Sequence, residues 1–353
     1  MLANEVYLKR AIELALLGLG NVSPNPLVGA VIVHQDRIIG EGYHQKYGEA
    51  HAEVNAINQV LNNFDHAEEL LKESTIYVTL EPCAHFGKTP PCADLIIKYQ
   101  IPNVVIGCLD PFKHVNGRGI DKLREAGLNV ITGILAKECK ELNKRFFTKV
   151  KKQRPYVILK WAETQDHYFS PEEGKKKWIT GEEAKRLVHL WRSQEDAILV
   201  GKKTALIDNP QLNVRLVEGR NPIRAVIDRN LKLPKTLNLF DNSVKTFVFN
   251  TKKTEIEDKT IYIQIEDFDH FLPQYILFQM YLQDIQSVII EGGIKTLQTF
   301  IDARLWDEAR IFKSKKKWGK GKEAPRIFGD SSTTTQIGED QLTVLKPLPN
   351  VIL

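Results

Sequence analysis

His51, Glu53, Cys83 and Cys92 are the residues whose types and spacing could do chemistry in this chain. They stand in two short runs, H-A-E at 51–53 and P-C-A-H-F-G-K-T-P-P-C at 82–92. One imidazole and two thiolates suit a zinc ion and leave its fourth position to water. A zinc held that way is catalytic, because it lowers the pKa of the water toward ~7. Glu53 lies two residues past the imidazole, where a carboxylate reaches that water without ligating the metal. That is the place for a proton shuttle. The bland alternatives are a structural zinc site and two buried free cysteines. A structural site wants a fourth protein ligand. His85 is at hand, but it lies two residues from Cys83 inside the inter-cysteine loop, which makes closure awkward. Cys108 and Cys139 lack partners at ligand spacing and read as small buried hydrophobes.

These groups need elements to hold them. HAEVNAINQVL (51–61) has helical spacing and puts His51 in a first turn. TIYVTL (75–80) is a strand that runs into Pro82 and Cys83, and PCADLIIKYQ (91–100) is a helix opened by Cys92. Positive helix ends favour thiolate and hydroxide there. Around them the spacing predicts a helix over 4–18, a buried strand PLVGAVIV (26–33), a strand over 103–109, a helix over 118–127 and a strand over 129–135. Alternation of this kind implies a sheet covered by helices. The charged stretch ELNKRFFTKVKKQRP (141–155) is the expected boundary. The second half restarts with YVILKWA (156–162), a strand with Lys160 near its end. A helix over 181–193 and strands at 196–201, 223–228, 245–250, 287–293 and 308–312 make it α/β again. FKSKKKWGKGKEAPRIFG (312–329) reads as a basic loop, and QLTVLKPLPNVIL as a source of a last strand.

Composition bounds the classes. The 353 residues are enough for two domains, each with its own core. With 42% hydrophobic and 26% charged residues, a wholly disordered chain is excluded. Lys+Arg 49 minus Asp+Glu 44 gives +5, compatible with phosphorylated small molecules and too mild for a nucleic-acid surface. Four cysteines make no disulfide framework, so a reducing cytoplasm is the default location. No apolar run approaches 18 residues, so no membrane span is expected.

H-x-E followed by a Pro-Cys run and a second cysteine is the pattern of zinc deaminases, whose glutamate is the general acid and base. Here eight residues separate the cysteines instead of two. SPNPLVGAVIV, EGYH, GEAHAEVNAI, YVTLEPCAHFGKTPPCADLI and DPFKHVNGRGI, in this order, closely resemble the bifunctional riboflavin-biosynthesis deaminase–reductase family. The likeness covers nearly the whole chain and is most specific over 20–120. It implies a cytidine-deaminase-like α/β/α domain over 1–148 and a dihydrofolate-reductase-like α/β domain over 149–353. The first would deaminate 2,5-diamino-6-ribosylamino-4(3H)-pyrimidinone 5′-phosphate. The second would use NADPH to reduce the ribosyl group to ribityl. The cofactors implied are Zn²⁺ and NADPH. The partner is the phosphorylated pyrimidine, with no nucleic acid and no membrane, and the chain would be a homo-oligomer, a dimer or tetramer.

Residue by residue, the resemblance makes His51, Cys83 and Cys92 the zinc ligands and Glu53 the catalytic proton carrier. It puts Asn25, His44, His85, Lys88 and Thr89 on the pyrimidine substrate. In the second half it puts Lys176, Arg192, Leu212, Arg215 and Glu291 on substrate. Lys160, Ala162, Trp178, Thr204, Asp208, Arg229 and Gly293 fall to the cofactor. Two arginines suit a ribose phosphate, because guanidinium forks chelate phosphate oxygens. Gly292 and Gly293 would let backbone approach a phosphate at a helix start. Charge alone does not choose NADPH over NADH, and Arg229, past a strand end, is the candidate for a 2′-phosphate contact. The chain departs from the family at three places. His167 replaces a glycine at a turn that would want positive φ, Lys176 replaces a small polar residue, and the 312–329 loop is more basic.

A second reading is a nucleic-acid-editing zinc deaminase with a C-terminal binding module. It calls for a basic, aromatic-interleaved surface and a base-flipping pocket. The long inter-cysteine loop and the W-I-T (178–180) and D-N-P (208–210) motifs speak against it. A third is a zinc-stapled scaffold without chemistry, which an ammonia-release assay separates.

Overall fold

The computed structural model describes residues 3–84, 90–112, 116–172 and 179–348. The chain divides into two units, Met1–Lys152 and Gln153–Leu353.

The first unit runs α1 (Ala3–Leu16), β1 (Gly29–His34), β2 (Arg37–Tyr43), α2 (Ala52–Asn63), α3 (Ala67–Lys72), β3 (Thr75–Leu80), α4 (Cys92–Lys98), β4 (Asn103–Cys108), α5 (Arg118–Glu125), β5 (Asn129–Thr132), α6 (Ala136–Leu142) and α7 (Lys144–Lys152). Its five-stranded sheet has the order β2-β1-β3-β4-β5. The pairs β2/β1 and β1/β3 are antiparallel, and β3/β4 and β4/β5 are parallel. Side chains alternate across a strand, and β1 shows why both faces must be covered. Ala30 and Ile32 pack with α2, α3, α4 and α5 residues, while Val31 and Val33 pack with Leu8, Ala11 and Leu14 of α1. A strand buried on both faces reads as a continuous apolar run, which is what GAVIV is.

Two local devices carry the site. A Cβ at Gly42 of β2 would lie 2.3 Å from the Ala52 carbonyl oxygen and 2.4 Å from the Ala56 nitrogen. Glycine there lets the backbone of α2 rest on the sheet and brings its N-terminus down with it. After β3, the buried Glu81 carboxylate accepts the backbone N–H groups of Asp110 (3.2 Å), Gly117 (3.0 Å) and Gly119 (3.0 Å). It fastens the strand end carrying Cys83 to the loop before α5. The charged stretch expected to be a boundary is not a linker throughout, since α7 occupies it to Lys152.

The second unit runs β6 (Tyr156–Glu163), β7 (Tyr168–Ser170), α8 (Glu182–Gln194), β8 (Ala197–Gly201), α9 (Lys202–Asp208), β9 (Ile223–Ile227), a 3-10 turn (Asn238–Phe240), β10 (Thr246–Asn250), β11 (Glu255–Glu257), β12 (Thr260–Gln264), α10 (Leu272–Leu282), β13 (Ser287–Ile290), α11 (Ile294–Asp302), β14 (Glu308–Lys313), β15 (Lys322–Glu323), β16 (Asp330–Ile337) and β17 (Asp340–Lys346). Ten strands form one sheet in the order β11-β12-β10-β9-β8-β13-β6-β14-β17-β16, and β15 pairs with β7 apart from it. The neighbours from β12 to β14 are all parallel. Their carboxyl ends therefore share one edge, where open parallel sheets bind ligands. Val157, Leu159, Phe247 and Phe249 pack with α10 and α11 residues, and Ile158, Ile198, Val226 and Val248 with α8 and α9 residues.

Three expectations shift here. The strand expected over 156–162 runs one residue farther, to Glu163, with 160–163 in register with 310–313 of β14, so Lys160 stands three residues before its end. His167 does adopt the turn that would want glycine, with φ +62. Its Nδ1 donates to Glu163 Oε1 at 2.9 Å, and Asn, Asp and His tolerate this region better than other side chains. The 312–329 segment is more ordered than a plain loop. Asp166 accepts the N–H groups of Trp318 (3.0 Å) and Gly319 (2.8 Å), and β15 lies inside it.

Candidate active sites

In the first unit, His51 is the N-cap of α2, one residue before the helix rather than in its first turn. Glu53, in the first turn, is 3% exposed. Cys92 opens α4, and its backbone N–H points at Cys83 Sγ (3.3 Å). An N–H at a helix start has no partner within the helix, so it is free to stabilise a thiolate. His51 Nδ1 lies 3.3 Å from Cys92 Sγ and 3.7 Å from Cys83 Sγ. The three ligand atoms all fall within 4.8 Å of one another. A tetrahedral zinc with the usual Zn–S and Zn–N lengths has S···N edges of roughly 3.6 Å, so the donors stand at ligand spacing.

The charges agree. The bond from the Cys92 thiol, helped by His51 and the Cys92 N–H, brings the Cys83 thiol down to about 4 against its burial. Donating that bond and being buried push Cys92 up. Burial pushes the Glu53 carboxyl up, and the neighbouring Cys83 adds to it. A carboxyl with a raised pKa gives up a proton less readily than an ordinary one and takes one back more easily, as a proton carrier must.

His44 and Asn25 belong to the same cluster. The His44 ring meets that of His51 edge-on at 5.4 Å. Its Nδ1 donates to the Ala50 carbonyl (3.0 Å), because a carbonyl only accepts. Burial holds His44 below its ordinary pKa, so the ring is neutral and Nε2 accepts from the Asn25 amide at 3.0 Å. His85, Lys88 and Thr89 lie outside the described residues.

In the second unit, a second cluster lies at the carboxyl end of β13, where the Glu291 N–H donates to the Leu199 carbonyl of β8. Arg192 of α8 holds Glu291, the residue after β13, through Nε to Oε1 (3.1 Å) and Nη2 to Oε2 (2.6 Å). Lys160 of β6 lies partly buried near them. Burial lowers its pKa, with Glu291 opposing and Arg192 assisting. Arg192 Nη1 also donates to the Asn213 carbonyl (3.3 Å), on the segment that carries Arg215. Leu212, on the same segment, turns with φ +49 and buries its side chain in the core. Arg215 Nη1 donates to Asn213 Oδ1 (2.9 Å).

Next to this lies a cradle of backbone. A Cβ at Gly292 would come within 2.8 Å of Val200 Cα, and one at Gly293, where φ is +70, within 3.0 Å of Thr204 Oγ1. Past β9, Asp228 Oδ1 is buried without a hydrogen bond among the described residues, with Lys202 Nζ 3.9 Å away. Bare glycine backbone before a helix suits a phosphate, and a lone acceptor at a strand end suits a ribose hydroxyl. A dinucleotide fits these residues. Arg229 stands farther out on the same edge, gripped by Asp269 (2.5 and 2.8 Å) and lying over the Phe268 ring.

Two family models match the chain. One describes the cytidine and deoxycytidylate deaminase zinc-binding region and covers residues 1–108. The other, the RibD C-terminal domain, covers 155–347. Riboflavin biosynthesis protein RibD of Aquifex aeolicus is 39% identical over 348 residues, 96% of this chain and 93% of the relative. The chain belongs to the RibD family. The RibD of Escherichia coli K12 is 35% identical over 333 residues, 90% of this chain and 89% of the relative. The solved deaminase/reductase of Thermotoga maritima superposes with TM-score 0.90 at 38% identity, covering 98% of this chain and 99% of that one. Acinetobacter baumannii RibD gives TM-score 0.90 at 33% identity with the same coverage.

With RibD membership the fold is a cytidine-deaminase-like domain followed by a dihydrofolate-reductase-like domain. The enzyme is a bifunctional deaminase and reductase of riboflavin biosynthesis, with zinc and NADPH as cofactors. Among the described residues, no helix is long and apolar enough to cross a membrane.

Measured against the RibD pattern, the structure gathers Asn25, His44, His51, Glu53, Cys83 and Cys92 in one cluster and Lys160, Arg192 and Glu291 in another. Ala162 follows Lys160 on β6, with its side chain packed on the core, and Asp208 ends α9. Arg229 is engaged with Asp269 rather than with the Lys160 cluster. Lys176 and Trp178 lie outside the described residues. Sequence reading passed over His189. This buried α8 residue has Nδ1 3.3 Å from the Arg215 backbone nitrogen. The available signal was its position three residues before Arg192, on the same helix face.

Proposed function

We propose that residues 1–148 form the domain that deaminates 2,5-diamino-6-ribosylamino-4(3H)-pyrimidinone 5′-phosphate. Residues 149–353 form the domain that reduces the resulting ribosylaminouracil phosphate to the ribityl compound. One observation carries the first half: His51, Cys83 and Cys92 at ligand spacing with the buried Glu53 on the same helix start. Those three residues would hold zinc, which when bound supplies the Lewis acidity that makes water a nucleophile near neutral pH. Glu53 takes one proton from the attacking water at its carboxylate and hands it to the ring nitrogen; it then takes the second from the hydroxyl now on the ring carbon and passes it to the amine, so that ammonia leaves as the carbonyl forms. Asn25, held by His44, presents its amide to the edge of the pyrimidine. His85, Lys88 and Thr89 belong to the same substrate site by family resemblance.

In the second half, NADPH supplies the hydride. Gly293, Thr204, Asp208, Lys160, Ala162, Trp178 and Arg229 hold the cofactor. Arg192, Glu291, Leu212, Lys176 and Arg215 hold the substrate. Arg192 and Glu291 cancel each other's charge, which leaves Arg215 as the described guanidinium for the phosphate. The editing-deaminase alternative is not favoured, since the second unit is the RibD C-terminal domain. The partner is the small phosphorylated pyrimidine, and the working form is a cytoplasmic homo-oligomer of two or four copies, to be tested by sedimentation.

Purified zinc-loaded protein incubated with the diaminopyrimidine phosphate tests the reading by product mass. Without NADPH the product exchanges an amino group for oxygen. With NADPH it also gains a hydrogen pair. An unchanged substrate in both arms overturns the assignment.

A further inference from the structure

The segment 209–216 carries Arg215 and lies in neither helix nor strand beyond Asp208. Side chains, not a backbone ladder, hold it. Val214 donates its N–H to Asn221 Oδ1 at 2.7 Å. The Asn213 carbonyl accepts from Arg192, and the Arg215 N–H goes to His189 Nδ1 at 3.3 Å. His189 and Arg192 stand three residues apart on α8, so one face of one helix reaches the segment at two points. Arg192 is also bound to Glu291, which ties the same face to the end of β13.

From this geometry we infer that His189 is a positioning residue of the reductase site. Its ring nitrogen fixes the backbone of Arg215 and so aims the guanidinium at the substrate's phosphate. The inference rests on the reading that Arg215 meets that phosphate. The ring is suited to the task only when neutral, because a protonated imidazole has no lone pair to offer. Burial holds its pKa down to about 4, and the Arg192 and Arg215 charges reinforce this, with Glu291 and the Asn213 backbone opposing. A histidine that merely fills space would be replaceable by another ring of its size. One that accepts an N–H would be replaceable by an amide.

Three variants of the full chain separate these roles. His189→Phe keeps a ring and removes the acceptor. His189→Asn supplies an amide oxygen close to the place of Nδ1. Arg215→Met removes the guanidinium. Reduction is measured on the ribosylaminouracil with and without its phosphate, and deamination by the same polypeptide reports that the chain is intact. His189→Phe is expected to raise KM for the phosphorylated substrate about tenfold with kcat within about twofold, since a backbone donor loses its partner. The loss should vanish on the dephosphorylated substrate and be recovered in His189→Asn. If His189→Phe equals the parent, or loses equally on both substrates while Arg215→Met loses on the phosphorylated one alone, the positioning role is overturned and the Arg215 reading stands. If Arg215→Met shows no phosphate-dependent loss, that reading fails and the inference with it. Should His189→Phe also weaken NADPH binding, His189→Asn decides: a normal KM upholds the acceptor role and a raised one overturns it.

Discussion

Arg192 and Glu291 meet through two parallel hydrogen bonds, of 3.1 and 2.6 Å, with side chains only 12% and 8% exposed. They are 99 residues apart in the chain. Burial alone would raise the Glu291 pKa, but the Arg192 and Lys160 charges outweigh it and hold it at about 2. The pair joins α8 to the residue after β13.

A carboxylate lowered from 4.5 to about 2 gives stability that is complete above the higher value and lost as pH falls through the lower. The shift corresponds to about 3 kcal/mol. Glu291→Gln should therefore cost about 3 kcal/mol at neutral pH, because Arg192 is left buried without its counter-charge. It should also flatten the stability curve between pH 4.5 and 2 and abolish reduction while sparing deamination. Denaturant unfolding across that range checks it. A variant with the parent's acid profile would show that the pair contributes nothing.

Glu53→Gln removes the proton carrier and leaves His51, Cys83 and Cys92 in place. Zinc content by mass spectrometry should stay at that of the parent while ammonia release falls by ~10²–10⁴. Reduction of supplied ribosylaminouracil phosphate should continue. Stripping the metal with a chelator should stop deamination in the same way, and added zinc should restore it in the parent but not in Glu53→Gln.

Gly292 has no room for a side chain, since its added Cβ would sit 2.8 Å from the Val200 backbone. Gly292→Ala must push β13 and β8 apart or shift the start of α11. A loss of about 1–3 kcal/mol is expected, as for overpacking elsewhere. NADPH affinity, read by fluorescence titration, should weaken at the same time. Unchanged affinity would mean that the cofactor's phosphates do not approach this backbone.

Arg229 is half exposed, and Asp269 aligns its fork. Arg229→Ala is expected to weaken NADPH about tenfold, the scale of one charge-assisted phosphate contact, and to leave NADH unaffected. Equal losses for both dinucleotides would remove Arg229 from the choice between them.

The residues that do chemistry in the first unit were legible because ligand type, spacing and the adjoining glutamate are local facts. H-A-E lies within one helix start, and each cysteine flanks a strand or helix whose apolar run marks it. The apolar runs also announced both α/β units, since parallel strands buried on two faces cannot hide their composition. The short edge strands and the surface helices were harder, because a chain half in water carries a weaker pattern. The strand read over 156–162 missed only Glu163, a charged residue that breaks the apolar run, although register with β14 extends the ladder through it.

What the sequence by itself determined was a nitrogen and two sulfurs beside a carboxyl group, and two sheets to carry the chemistry. Only the tertiary structure decided that Glu291 would neutralise Arg192, that His189 would turn a lone pair toward the Arg215 backbone, and that Asp228 would keep an oxygen without a hydrogen bond among the described residues. Those outcomes depend on which strand ends meet at the edge of the second sheet. Strand order brings distant segments together, and the charge each residue meets there is set by burial and neighbours that no local stretch of chain encodes.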